Sequence, residues 1–106
     1  MSNSYSVLYS PEAVSDIENI YSYIAFELQV PETALGQVNR IRKQIRSLDV
    51  MPMRYALVED EPWKSRNMHK VPVDNYVVYY TVNEDTLEVM VIRIFYSGRD
   101  LKEQMK

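Results

Sequence analysis

The sequence predicts an α+β fold whose elements run strand, helix, helix, strand, strand, strand. Three observations predict it. Apolar side chains recur at three- and four-residue spacing from Val14 to Leu48, with one interruption at Pro31. That period disappears after Met51, where prolines and a run of acids break any regular pattern. From Tyr76 onward Val, Ile and Tyr crowd into two runs separated by Asn83, Glu84 and Asp85, which is the composition of a hairpin. With 106 residues the chain is expected to form one domain, 1–106, around one core.

Residues 4–9 alternate in polarity and read as a strand. Ser10 then has the chemistry of an N-cap, and Pro11 that of the first helical position, so the strand hands over directly to a helix. Over residues 11–28, Val14, Ile17, Ile20, Tyr21, Ile24 and Leu28 fall on one stripe of an amphipathic helix. Pro31 restarts the pattern, and Ala34, Leu35, Val38, Ile41, Ile45 and Leu48 continue it to a stop before Pro52. So short a break between two helices predicts an antiparallel helical hairpin. Residues 51–65 hold Pro52, Pro62 and the acids Glu59, Asp60 and Glu61 with no clean period, and form an irregular connection. Met51, Met53 and Trp63 are expected to cover the sheet edge from it. Residues 66–73 make a short, edge-like strand bounded by Pro72 and an Asp74-Asn75 turn. The last two strands run to a rim where Arg93, Tyr96 and Arg99 are expected to crowd together. Guanidinium is permanently charged and forks onto phosphate or carboxylate, so that rim suits an anionic partner. Residues 101–106 are a polar tail.

Composition narrows the chemistry. The hydrophobic share of 46% and charged share of 25% are those of an ordinary globular protein. No apolar run approaches the roughly 20 residues of a membrane span, and the first residues lack the basic start and apolar stretch of a secretory signal. The expectation is a cytoplasmic protein without membrane partners. The absence of cysteine removes disulfides, thiolate metal sites and thiol nucleophiles. With His69 the sole histidine, a metal would need an all-carboxylate site, and no loop is spaced for one; no cofactor is expected. A net charge of −3 opposes non-specific binding to nucleic acid. The charges are unevenly spread, however. Glu12, Asp16, Glu18 and Glu27 dominate the first helix, and Arg40, Arg42, Lys43 and Arg46 cluster on the second, as a solvated face or a local basic surface.

Three stretches, in this order and spacing, resemble the RelE/ParE superfamily of type II toxin–antitoxin toxins. They are SPEAVSDIENIYSYI, a Pro-Glu-Ala-like helix start after a strand; VPVDNYVVYYTVNED, a tyrosine-centred strand and acidic turn; and VMVIRIFYSGRD, close to the family's strand-ending Arg, aromatic and Arg-Asp signature. The resemblance spans nearly the whole chain. It implies a compact antiparallel sheet with the helical hairpin packed on one face, the other face being concave and open to targets. It also implies neutralisation by a small cognate antitoxin. RelE-like members cut messenger RNA on the ribosome, whereas ParE-like members poison DNA gyrase with no known hydrolytic step. A degenerate member would only bind its antitoxin.

Metal-free RNA cleavage needs a base for the 2′-hydroxyl, positive charge for the phosphorane, and an acid for the leaving oxygen. On the resemblance, Arg99 is the signature arginine that contacts the scissile phosphate, against the plainer reading of a surface charge paired with Asp100. Tyr96 stands where relatives carry His or Tyr and would orient or donate, though a tyrosine at a strand end commonly packs its ring. Arg93 would add phosphate charge. Mid-strand among apolar residues, it first asks for a carboxylate partner, from the first helix or the 59–61 acids. His69 is the remote acid/base candidate, with packing as the competing role. Arg66 and Lys70 flank it as phosphate or partner contacts. Two departures weigh against nuclease activity: Val77 stands where RelE-like nucleases often carry arginine, and the tail lacks a later aromatic. Messenger RNA cleavage on the ribosome is nonetheless the first expectation, with gyrase inhibition the alternative. The sequence leaves the oligomeric state open.

Overall fold

The structure, a computed structural model, describes residues 4–98. Its elements are β1 (Ser6–Tyr9), α1 (Pro11–Ser22), α2 (Pro31–Arg46), β2 (Met68–Val73), β3 (Tyr76–Asn83) and β4 (Glu88–Tyr96). The four strands form one sheet in the order β1-β4-β3-β2, and the two helices pack on one side of it. β2, β3 and β4 are the antiparallel meander that the sequence predicts. β1 differs from the expectation of a wholly antiparallel sheet. It lies parallel to β4, Ser6 opposite Glu88 and Tyr9 opposite Val91, because the helical hairpin carries the chain across the sheet before it returns.

Ser10 starts α1 as its chemistry dictates. Its hydroxyl accepts from the Ala13 amide at 3.0 Å and donates to the Ile92 carbonyl of β4 at 2.8 Å. One side chain thus caps the helix and ties it to the sheet. α1 gives way to a π-helical turn, Tyr23–Glu27, and ends with Gln29 in the left-handed conformation, φ 58°. The extra residue in that turn rotates the stripe beyond it, so Ile24 and Ala25 are buried and Leu28, expected on the apolar stripe, is exposed. Before the turn Ala13 and Ile17 are buried, while Val14, also expected on the stripe, is exposed. In α2, Ala34, Val38, Ile41 and Ile45 are buried along with Leu48 in the following 3₁₀ turn, and Leu35 is exposed.

Side chains from α1 and α2 meet Val71, Val73, Val78, Tyr80, Val82, Val89, Val91 and Ile94 in the main core. Burying aliphatic side chains of this size contributes roughly 1.5–3 kcal/mol each. The opposite sheet face carries a second, smaller core. There Val58 and Trp63, from the irregular connection, cover Met68, Tyr79 and Phe95. The expectation of an open concave face is therefore corrected in part, since the chain's own connection fills one half of it. Trp63 is buried on the face instead of lying along an edge, and Met51 and Met53 are exposed. The connection is anchored by pairing with the β2 edge: Val58 donates to Met68 at 2.8 Å, and Lys70 to Ala56 at 2.9 Å.

Candidate functional site

The expected rim is divided by a single irregularity in β4. Pairing with β3 runs Tyr79 opposite Arg93 and then Tyr80 opposite Val91, so Ile92 is an extra residue, a β-bulge. Side chains alternate along a strand, and one inserted residue inverts every assignment beyond it. Up to Val91 the odd positions face the helices. After the bulge Ile94 does so, with Tyr96 opposite the helix-side Tyr76, while Arg93 and Phe95 turn to the other face with Tyr79 and Val77. Arg93 and Tyr96 thus lie on opposite faces of the sheet.

Arg93 has a partner on the first helix. Its Nε lies 2.8 Å and its terminal nitrogen 3.0 Å from the two carboxylate oxygens of Asp16, a bidentate pair. The guanidinium also sits 4.5 Å from the centre of the Phe95 ring. These hydrogen bonds raise the pKa of Arg93, so it is charged throughout. Asp16 does further work. Its carboxylate accepts from the Ile94 amide at 2.9 Å, beyond the point where β1 stops pairing with β4. Ser10 satisfies the Val91 and Ile92 carbonyls just before it, so α1 takes over from β1 in closing the β4 edge. Asp16 was read only as one of several helix acids. The pairing signal was there, a mid-strand arginine in an apolar run, but not the identity of the partner.

Tyr96 is half exposed and meets Tyr76 edge to face at 5.8 Å. Burial first, then the neighbouring Tyr96 and Tyr23 phenols, push the Tyr76 pKa up. His69 is far from this cluster. It lies four positions along β2 from Val73, which shares a row with Tyr76 and Tyr96, so roughly 13 Å separates them along the strand axis alone. The imidazole is buried, stacked on Tyr80 at 5.4 Å, with Nδ1 2.9 Å from the Tyr55 carbonyl oxygen. Lys70 points to the other face and is exposed, as is Arg66. Arg99 lies outside the described residues.

The half of the far face that no other described residue covers forms an open groove of about 610 Å³ lined by Leu8, Met90, Thr81, Arg66 and the acids Glu84 and Glu88. Arg66 is, among the described residues, the one predicted site residue that lines it. Among the described residues, no group of three His, Asp or Glu side chains is placed to hold a metal. No helix among them is long and apolar enough to cross a membrane. Chemically the described residues offer a half-exposed phenol, an ion-paired arginine, a buried imidazole and a mixed-charge groove, each in a different place.

A family model described as the ParE toxin of a type II toxin–antitoxin system matches residues 7–101. No curated protein matches the chain. Among solved structures, a chain of the chromosomal ParDE toxin–antitoxin system from P. aeruginosa is 22% identical, with a TM-score of 0.72 over 90% of this chain and 98% of its own. A mutant of the E. coli toxin RelE in the free state is 14% identical, with a TM-score of 0.63 over 89% of this chain and 84% of its own. The archaeal RelE–RelB complex from Pyrococcus horikoshii OT3 gives 14% identity and a TM-score of 0.62 over 92% of this chain and 99% of that one. At these identities the structural likeness establishes the fold alone.

Proposed function

This chain belongs to the ParE toxin family of type II toxin–antitoxin systems, and from that premise we propose that it is a binding toxin which obstructs DNA gyrase and is held inactive by a small cognate antitoxin. The observation that carries the choice between gyrase and messenger RNA is the dispersal of the candidate catalytic groups. Phosphoryl chemistry needs its cation, acid and base within hydrogen-bond reach of one phosphodiester. Here Arg93 is committed to Asp16 of α1 at the β4 edge, Tyr96 packs with Tyr76 on the helix face, and His69 is buried four positions along β2 from that row. A binding toxin needs no such convergence, only exposed contact surface. We assign Tyr96, with Arg99 close behind it in sequence, to target contact in place of catalysis, and Arg66 and Lys70 to partner contact. The solved relatives that pair a toxin with its antitoxin, the ParDE system and the RelE–RelB complex, support the antitoxin as partner.

Inducing the chain without its antitoxin tests this reading. Gyrase–DNA adducts and a DNA-damage response with intact messages are expected, and co-expression of a neighbouring small antitoxin should relieve both. Arrested translation with new mRNA 5′ ends, abolished by Arg99→Ala in a protein that still folds, would replace gyrase by the ribosome as the target.

A further inference from the structure

We propose that the helical hairpin carries a self-complementary docking surface on which a second copy of this chain binds antiparallel, tip against base. Its two ends are opposite in charge and alike in apolar exposure. At the tip, Phe26 is 70% exposed, and Tyr23, Leu28, Val30 and Leu35 are exposed around it. The hairpin's own residues at the tip include Glu27 and Glu32 and no Lys or Arg, since none precedes Arg40 in the chain. Just beyond the other end of α2, Met51 is 68% exposed with Val50 and Met53 beside it. That end is basic on balance, with Arg42, Lys43, Arg46 and Arg54 set against the single acid Asp49.

Among the described residues, the charges at both ends are not taken up by ion pairs within the molecule. Asp16 is satisfied by Arg93, and Arg40 by Asp74 at 2.7 Å, which removes both from the account. Among the described residues, Glu27 and Glu32 at the tip, and Arg42, Lys43 and Arg46 at the base, have no ion-pair partner. Apolar side chains this exposed and this clustered mark an interaction surface. Both clusters are also held in shape. The tip turns through Gln29 at φ 58°, and Met51 sits at φ 48°, with the Arg54 guanidinium donating to the Val50 and Met51 carbonyls. Non-glycine residues keep such conformations only where the surroundings impose them.

A partner for either end needs exposed apolar side chains beside charges of the opposite sign, and the other end of the same molecule supplies both. The 16 residues of α2 separate the two ends by about 24 Å at 1.5 Å per residue. A two-fold axis midway along α2 lays each tip on the partner's base, making both contacts at once. Such an isologous pair closes on itself and does not propagate into a filament. This dimer is independent of which target the toxin obstructs.

Sedimentation of the purified full chain tests the proposal. A monomer–dimer equilibrium that weakens as salt is raised is expected. The tip-reversed variant Glu27→Lys/Glu32→Lys and the base-reversed variant Arg42→Glu/Arg46→Glu should each self-associate at least about tenfold more weakly, because like charges then meet. Mixed together they should form a one-to-one dimer, since each reversed end then finds its complement on the other variant. Phe26→Asp should weaken association without any change in folding by circular dichroism. A chain that stays monomeric at every concentration, a dimer indifferent to these changes, or reversed variants that fail to associate when mixed would each overturn the proposal.

Discussion

The two faces of the sheet are covered by different means. The helix face is sealed by α1 and α2, whose regular periods lay Ile17, Val38, Ile41 and Ile45 over Val78, Tyr80, Val89 and Val91. The far face is covered by an irregular connection that contributes only Val58 and Trp63 and leaves the rest as a groove. A helix repeats its apolar contacts every turn, so it covers a sheet along its length. A loop can spare only a few anchors, because its own backbone must stay near water or find partners. The lesson is that one face is a continuous core and the other a local clasp.

Three experiments would break or sharpen that contrast. The largest effect is expected at the seam where α1 reaches round the β4 edge. Asp16→Ala leaves the part-buried Arg93 guanidinium and the buried Ile94 amide without their acceptor, a loss of roughly 3–5 kcal/mol by urea unfolding from three hydrogen bonds to a charged group. If the loss is near zero, α1 does not close that edge.

Next come truncations on the two faces. Ile41→Ala, on the continuous core, should cost about 2–5 kcal/mol in a cooperative unfolding transition. Trp63→Ala should cost less than the roughly 3–5 kcal/mol of a tryptophan in a closed core. Its main signature is faster hydrogen exchange at Val58 and Lys70, whose amides hold the clasp to β2, with α2 amides unchanged. Equal loss of protection on both faces would mean that they are one cooperative unit.

The smallest effect is a difference in titration between neighbours on β3. Tyr80 is fully buried on the helix face, donates to the Pro52 carbonyl at 2.6 Å, and burial pushes its pKa far up. Tyr79, on the clasp side, is raised by burial too. A phenol whose folded pKa is raised stabilises the fold fully below the ordinary value of about 10, and that contribution is lost as pH climbs past it. The protein should therefore lose stability at alkaline pH. Tyrosinate absorbance in Tyr79→Phe and Tyr80→Phe variants should show Tyr79 ionising first, before unfolding, and Tyr80 only with it. The reverse order would sink the contrast between the faces.

Much of the architecture was legible in the chain because its signals are local. Ser10-Pro11 caps and starts a helix whatever surrounds it, and Asn83 closes the β3–β4 turn by accepting from Asp85 and Thr86 at 2.9 and 3.1 Å. The apolar periods of residues 31–48 placed Ala34, Val38, Ile41 and Ile45 in the core directly. At Leu28 and at the rim, the period is shifted by an extra residue. The π-helical turn at Tyr23–Glu27 moved Leu28 to the surface, and period counting cannot see an insertion whose cause is packing elsewhere.

Sequence alone thus determined the number and order of the elements, their caps and turns, and the family, since each rests on residues within a few positions of one another. Tertiary structure decided where the rim's side chains point. The bulge at Ile92 sits where α1 begins, against Ser10 and the β4 carbonyls, 82 residues away in the chain. By that one inserted residue Arg93 is turned to the far face and to Asp16, and Tyr96 to the helix face and Tyr76. A strand's alternation has no memory of which face it began on, so only the contacts that create the bulge could settle it.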